Sequence, residues 1–126
     1  MIIKHLLVLK KYAFIIAVFY TVALATVSLV RLNNLPNVGV SFADKIFHFL
    51  VYSVLAFLWV NTFFFKFKYK KTKAIIYAAL FSIIFGIIIE VLQGSVTASR
   101  YTDVYDAIAN ALGVLIMALI LLINKK

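Results

Sequence analysis

The sequence predicts an all-α membrane protein, a bundle of four transmembrane helices with both termini in the cytoplasm. Three observations carry that prediction. Of 126 residues, 66% are hydrophobic and 13% charged, whereas soluble domains run nearer half apolar and a quarter charged. Four apolar runs are long enough for a helix of about 20 residues, at about 1.5 Å each, to cross about 30 Å of hydrocarbon. The charges are also sorted. All four acidic residues, Asp44, Glu90, Asp103 and Asp106, fall at one membrane face, and nearly all Lys and Arg at the other. With a mean hydropathy of +1.10, a soluble core of this size could not hide the apolar surface, so the bilayer must be the solvent.

The spans cover about residues 12–30, 46–65, 74–91 and 104–123, within one domain spanning 1–126. Each is continuously apolar and not alternating, which excludes a membrane β-barrel and leaves helices as the spanning form. Lys4, Lys10 and Lys11 precede the first span, and Lys66, Lys68, Lys70, Lys71 and Lys73 link the second to the third. Lys125 and Lys126 follow the fourth, so ten of the thirteen basic residues share one side; Arg31, Lys45 and Arg100 lie on the other. The positive-inside rule then puts both termini inside and the segments 31–45 and 92–103 outside. Lys10-Lys11 and the Ala23-Leu24-Ala25 triplet imitate a signal peptide with its cleavage site. The apolar run continues through Val30 to spanning length, which favours a retained helix. The expected location is the inner membrane, as a multi-pass protein.

Composition closes several routes to function. The chain has no cysteine, so disulfides, thiolate metal sites and cysteine nucleophiles are excluded. A net charge of +9 suggests nucleic acid only until its distribution is considered. The lysines sit in short clusters between spans, where they orient the helices and meet anionic headgroups. Phe63, Phe64, Phe65, Phe67 and Tyr69 mingle with lysines at the inner boundary, as interfacial anchors do. Pro36 breaks any helix in the first outer segment. No G-x-x-x-G pair marks a seam between helices, and the oligomeric state is not written in the sequence.

Polar residues interrupt three of the spans at one level. Asp44, His48 and Tyr52 follow i, i+4, i+8, so they form one stripe on the second helix. Gly86, Glu90 and Gln93 share a face of the third, and Asp103, Asp106, Asn110 and Gly113 a face of the fourth. Polar groups facing lipid near the bilayer centre cost roughly 2.5–3.5 kcal/mol each. The three stripes should therefore turn toward one another, with Gly86 and Gly113 letting the backbones approach. Part of this has a structural reading: Asp44 and Asp103 as helix caps, Asp106 as favourable charge in a first turn, and Asn110 as packing glue. Glu90, His48, Asp106 and Asn110 lie within spans, and intramembrane ionisable groups are functional candidates by default.

Two chemistries are open to such a cluster. His48, Glu90 or Asp106 could serve as general acid or base, with Arg100 and Lys45 holding an anionic group. Imidazole and carboxylates also suit a divalent metal such as zinc, manganese or iron. The spacings match no standard metal motif, however, and the other histidine, His5, is on the inner side. No G-x-S-x-G elbow, H-E-x-x-H or phosphate-binding loop is present. Asp103-x-x-Asp106 resembles the start of the acidic motif of CDP-alcohol phosphotransferases, but the glycine, arginine and later aspartates of that motif are missing.

At these positions the chain resembles the VanZ-like family of small bacterial membrane proteins. The resemblance rests on Asp44-Lys45-x-x-His48-Phe49-x-x-Tyr52-x-x-Leu55, on Glu90-x-x-Gln93, and on Arg100-x-x-Asp103-x-x-Asp106-x-x-x-Asn110-x-x-Gly113. It extends from the first span, where Ser28-Leu29 also fits, through the fourth. One departure is that Val114, Leu115, Ile116 and Met117 follow Gly113, where many members have a further glycine. The resemblance implies a protein of the cell envelope acting on or near lipid-linked or peptidoglycan components. The family takes its name from a protein associated with low-level resistance to the glycopeptide teicoplanin. That is a phenotype and not a reaction.

Three kinds of function fit these observations. An outward cluster could bind a headgroup, glycopeptide or cell-wall precursor through Asp44, Lys45, Tyr52, Gln93, Arg100, Asp103 and Asn110. It could modify such a component, with His48, Glu90 and Asp106 as the reactive groups. A proton-linked transporter would instead use a buried carboxylate as relay, although four spans without an inverted repeat suit that poorly. A purely structural interaction protein is the remaining alternative.

Overall fold

Apolar runs of 19 to 22 residues can satisfy their backbone N–H and C=O groups in lipid only by coiling into helices. The computed structural model contains four such helices: α1 (Ile2–Val30), α2 (Phe42–Asn61), α3 (Lys71–Val96) and α4 (Val104–Ile123). It describes the backbone of residues 2–30, 42–96 and 104–123, and the side chains of 11–29, 45–92 and 105–123. Among the described residues there is no strand. The windows apolar enough to cross a membrane are Lys11–Leu29, Lys45–Lys66, Lys71–Leu92 and Tyr105–Ile123.

Cross-helix contacts give the directions. On α1 and α2, Thr62 Oγ1 lies 3.1 Å from the Ala13 carbonyl while Tyr20 donates to the Val51 carbonyl at 2.7 Å, so these two helices run antiparallel. Lys45 meets Asp106 and Ser53 meets Gly113, so α2 and α4 run parallel. The short turn after α2 makes α3 antiparallel to both. α2 packs most extensively against α4 and also touches α3 and α1. Among the described residues α1 and α4 do not meet, which leaves α1 on one flank. The core lies around Tyr52, Leu55, Ala56, Ile75, Ala78 and Val114, and many large apolar side chains, among them Phe19, Leu50, Leu80 and Leu119, face outward, as lipid-facing helices require.

α2 does not end as an α-helix. It widens into a π-helical turn, Thr62–Lys66, with Phe67 N–H donating to the Thr62 carbonyl at 3.2 Å. Lys68 then takes a left-handed conformation (φ 64°) and Tyr69 N–H reaches back to the Phe63 carbonyl at 3.0 Å. Glycine is the usual residue at such a helix end; here the sequence spends a lysine instead, keeping the turn basic. Phe63 stacks on Tyr69 at 5.6 Å and Lys73 Nζ sits 4.7 Å from the Tyr69 ring. Aromatic and basic side chains thus gather at this end of the bundle, opposite the acidic one. On the α1 side, Trp59 Nε1 donates to Thr21 Oγ1 at 2.9 Å, and the Thr62 hydroxyl reaches the carbonyls of both Ala13 and Leu58.

Candidate functional site

The acidic end is assembled by three helices. α2 contributes Lys45, His48 and Tyr52, α3 contributes Glu90, and α4 contributes Asp106 and Asn110. Their spacings of three or four residues lay each set along one helical face. Because α2 and α4 run parallel with α3 reversed between connections, all three faces carry their polar residues at one level. Glu90, Asp106 and Asn110 are only 2%, 1% and 2% exposed. Carboxylates so enclosed are costly unless their oxygens are matched by polar or cationic groups.

Asp106 divides its two oxygens. Lys45 Nζ contacts Oδ1 at 2.5 Å, and Oδ2 faces His48 Nε2 at 3.5 Å. Asp106 also stands in the first turn of α4, where the helix dipole favours negative charge. His48 Nδ1 lies 3.1 Å from Asn110 Oδ1. An amide oxygen only accepts, so the imidazole donates through Nδ1–H, and in its neutral form Nε2 presents a lone pair to Asp106. Glu90 closes the third side. One ligand atom each from His48, Glu90 and Asp106 lie within 4.8 Å of one another.

One turn deeper the core is filled. Tyr52, itself buried, and Asn110 both press on Gly86, where an added Cβ would meet Tyr52 Cε2 at 3.1 Å and Asn110 Cβ at 3.5 Å. Gly86 therefore makes room for two side chains, whereas close backbone approach is left to Gly113. A Cβ there would collide with the backbone carbonyl of Phe49. Beside it, the Ser53 hydroxyl lies 2.9 Å from the Phe49 carbonyl and 3.0 Å from that of Gly113.

Of the sequence-selected residues, the structure thus brings together Lys45, His48, Glu90, Asp106 and Asn110, with Tyr52 just below. Asp44 lies in α2 and Gln93 in α3, but their side chains are outside the described residues, as are Arg100 and Asp103 altogether. Ser53 falls in none of the polar stripes, yet it ties α2 to α4. A lone serine in an apolar run has no distinguishing pattern, and only the facing Gly113 marks its role.

A small polytopic helical membrane protein with a His–Glu–Asp cluster, its two carboxylates buried, at one end of its bundle is the class that fold and site define. The family comparison gives it a narrower place. A family model described as VanZ/LLP1 matches residues 4–125, nearly the whole chain, and the chain belongs to that family. No curated protein and no solved structure matches it.

Proposed function

We propose that this VanZ-family membrane protein acts at the outer face of the bacterial inner membrane. There its polar cluster binds or modifies a lipid headgroup or cell-wall component, and so alters the response to a glycopeptide such as teicoplanin. The observation that carries this reading is the convergence of His48, Glu90 and Asp106, one from each of three helices, beside the Lys45 ammonium. Such a set offers a cation for phosphate or carboxylate and acceptors for hydroxyls or amines. The packing of Tyr52 and Asn110 around Gly86 fills the interior below it, which favours work at one face over passage through the bundle.

The facing rests on charge. Lys66, Lys68, Lys70, Lys71 and Lys73 gather at the end away from the cluster, and such clusters stay cytoplasmic. Because the chain has no cysteine, single substitutions report sidedness cleanly. On intact cells a membrane-impermeant maleimide should label Asn37→Cys at once and Lys70→Cys only after permeabilisation; the reverse order would turn the cluster inward and end this reading.

The functional test is teicoplanin susceptibility of a Gram-positive host making the parent protein, His48→Ala, Glu90→Gln or Asp106→Asn at matched membrane abundance. Protection is expected from the parent and should vanish in each variant. Protection that survived all three would make the cluster structural, and none from the parent would detach this chain from glycopeptide resistance.

A further inference from the structure

We infer that His48, Glu90 and Asp106 form a binding site for one divalent transition-metal ion, with zinc as the reference case. The inference deepens the reading of this cluster as the working site, and it stands on the geometry between the helices. The three donors come from α2, α3 and α4, and their ligand atoms lie within 4.8 Å of one another. Zinc binds imidazole nitrogen and carboxylate oxygen at about 2.0–2.2 Å, and tetrahedral placement at that radius separates neighbouring ligand atoms by about 3.3–3.6 Å. The His48 Nε2 to Asp106 Oδ2 separation is 3.5 Å. That falls inside the ligand-to-ligand range, and the remaining pairs, within 4.8 Å, reach it when the side chains draw in around an ion.

The surroundings are those of ligands held in place. A metal-binding imidazole characteristically donates its other N–H to an oxygen, which fixes the tautomer and aims the free nitrogen at the metal. Asn110 Oδ1 does this for His48 Nδ1 at 3.1 Å. Ligating carboxylates are themselves held by hydrogen bonds, and Lys45 takes Asp106 Oδ1 while Oδ2 faces the centre. One nitrogen and two oxygens make a borderline donor set suited to zinc, iron or manganese, and the imidazole disfavours calcium and magnesium. Three protein ligands leave a fourth position for water or substrate, as in sites where zinc does chemistry. Of the three ligand residues, His48 is the most exposed, at 18%.

The test uses the full chain, purified in detergent after removal of any histidine tag, stripped with chelator and titrated with zinc chloride alone. The parent should take up one zinc per chain by elemental analysis and gain thermal stability that chelator reverses. Cobalt(II) in place of zinc should show the visible spectrum of a four-coordinate ion. His48→Ala and Glu90→Gln should lose the metal. Asn110→Ala, which removes the orienting bond to His48 but no ligand, should still bind it with about 10- to 100-fold weaker affinity. Failure of the parent to bind zinc stoichiometrically would overturn the site whatever the variants do, and so would unchanged zinc binding by His48→Ala. If metal binding fails while His48→Ala still abolishes protection, the cluster remains the working site without a metal. Metal binding without any effect on protection would keep the metal site and end the envelope reading.

Discussion

Replacing Gly113 by alanine is expected to destabilise this protein more than any other single added methyl group in the bundle. A Cβ at that position overlaps the backbone carbonyl of Phe49 and presses on Ser53 Oγ at 3.0 Å. A carbonyl belonging to a helix cannot turn aside as a side chain can, so α2 and α4 must separate. Overpacking of this kind costs about 1–3 kcal/mol, and separation also stretches the Ser53 contact to the Gly113 carbonyl. The damage reaches the site, since α2 carries Lys45 and His48 and α4 carries Asp106 and Asn110. Gly113→Ala should therefore lower the Tm in detergent and weaken zinc uptake together, and Gly113→Val should fail to accumulate in membranes. Gly86→Ala is the control. Its new Cβ meets the edge of the Tyr52 ring at 3.1 Å and the Asn110 side chain at 3.5 Å, groups that can shift by a few tenths of an ångström. Equal stability losses in the two alanine variants would refute the close backbone crossing at Gly113.

The contrast between these two glycines shows what the sequence could and could not reveal. Four helices were legible because only an unbroken apolar run of about 20 residues spans the bilayer. The polar faces were legible because helical periodicity puts residues three or four apart on one side: His48 with Tyr52, Gly86 with Glu90, Asp106 with Asn110. What a stripe faces is another matter. Gly86 stands four residues from Glu90 and Gly113 three from Asn110, each on the polar face of its helix, yet one meets side chains and the other a backbone, a difference set by how three helices cross. For the same reason the chain shows no metal motif. Local spacing records ligands that share a helix, and here each helix supplies one. The widening of α2 at Thr62–Lys66 and the position of α1 away from α4 also follow from packing, which hydropathy does not encode.

The second large effect concerns Lys45 and Asp106. Asp106 is 1% exposed and Lys45 17%, with Nζ and Oδ1 2.5 Å apart. Removing one member of an enclosed ion pair costs about 3–5 kcal/mol, because the other charge stays in a poor solvent, whereas replacing both by apolar residues is often neutral or stabilising. Lys45→Met should therefore be strongly destabilising. Asp106→Leu should be milder, since a lysine near the end of its helix can extend toward water. The double variant Lys45→Met/Asp106→Leu should recover much of the loss, and its unfolding should fall well short of the sum of the two single effects. If the single losses simply add, the two groups are not a coupled pair. The double variant also separates fold from function. It retains α2–α4 packing through Ser53 and Gly113 but has neither the carboxylate that faces His48 nor the ammonium for an anionic group. A stable bundle without zinc binding and without protection is the outcome that makes this cluster a working site. A stable bundle that still protects the host would mean that the charges serve only to hold three helices together.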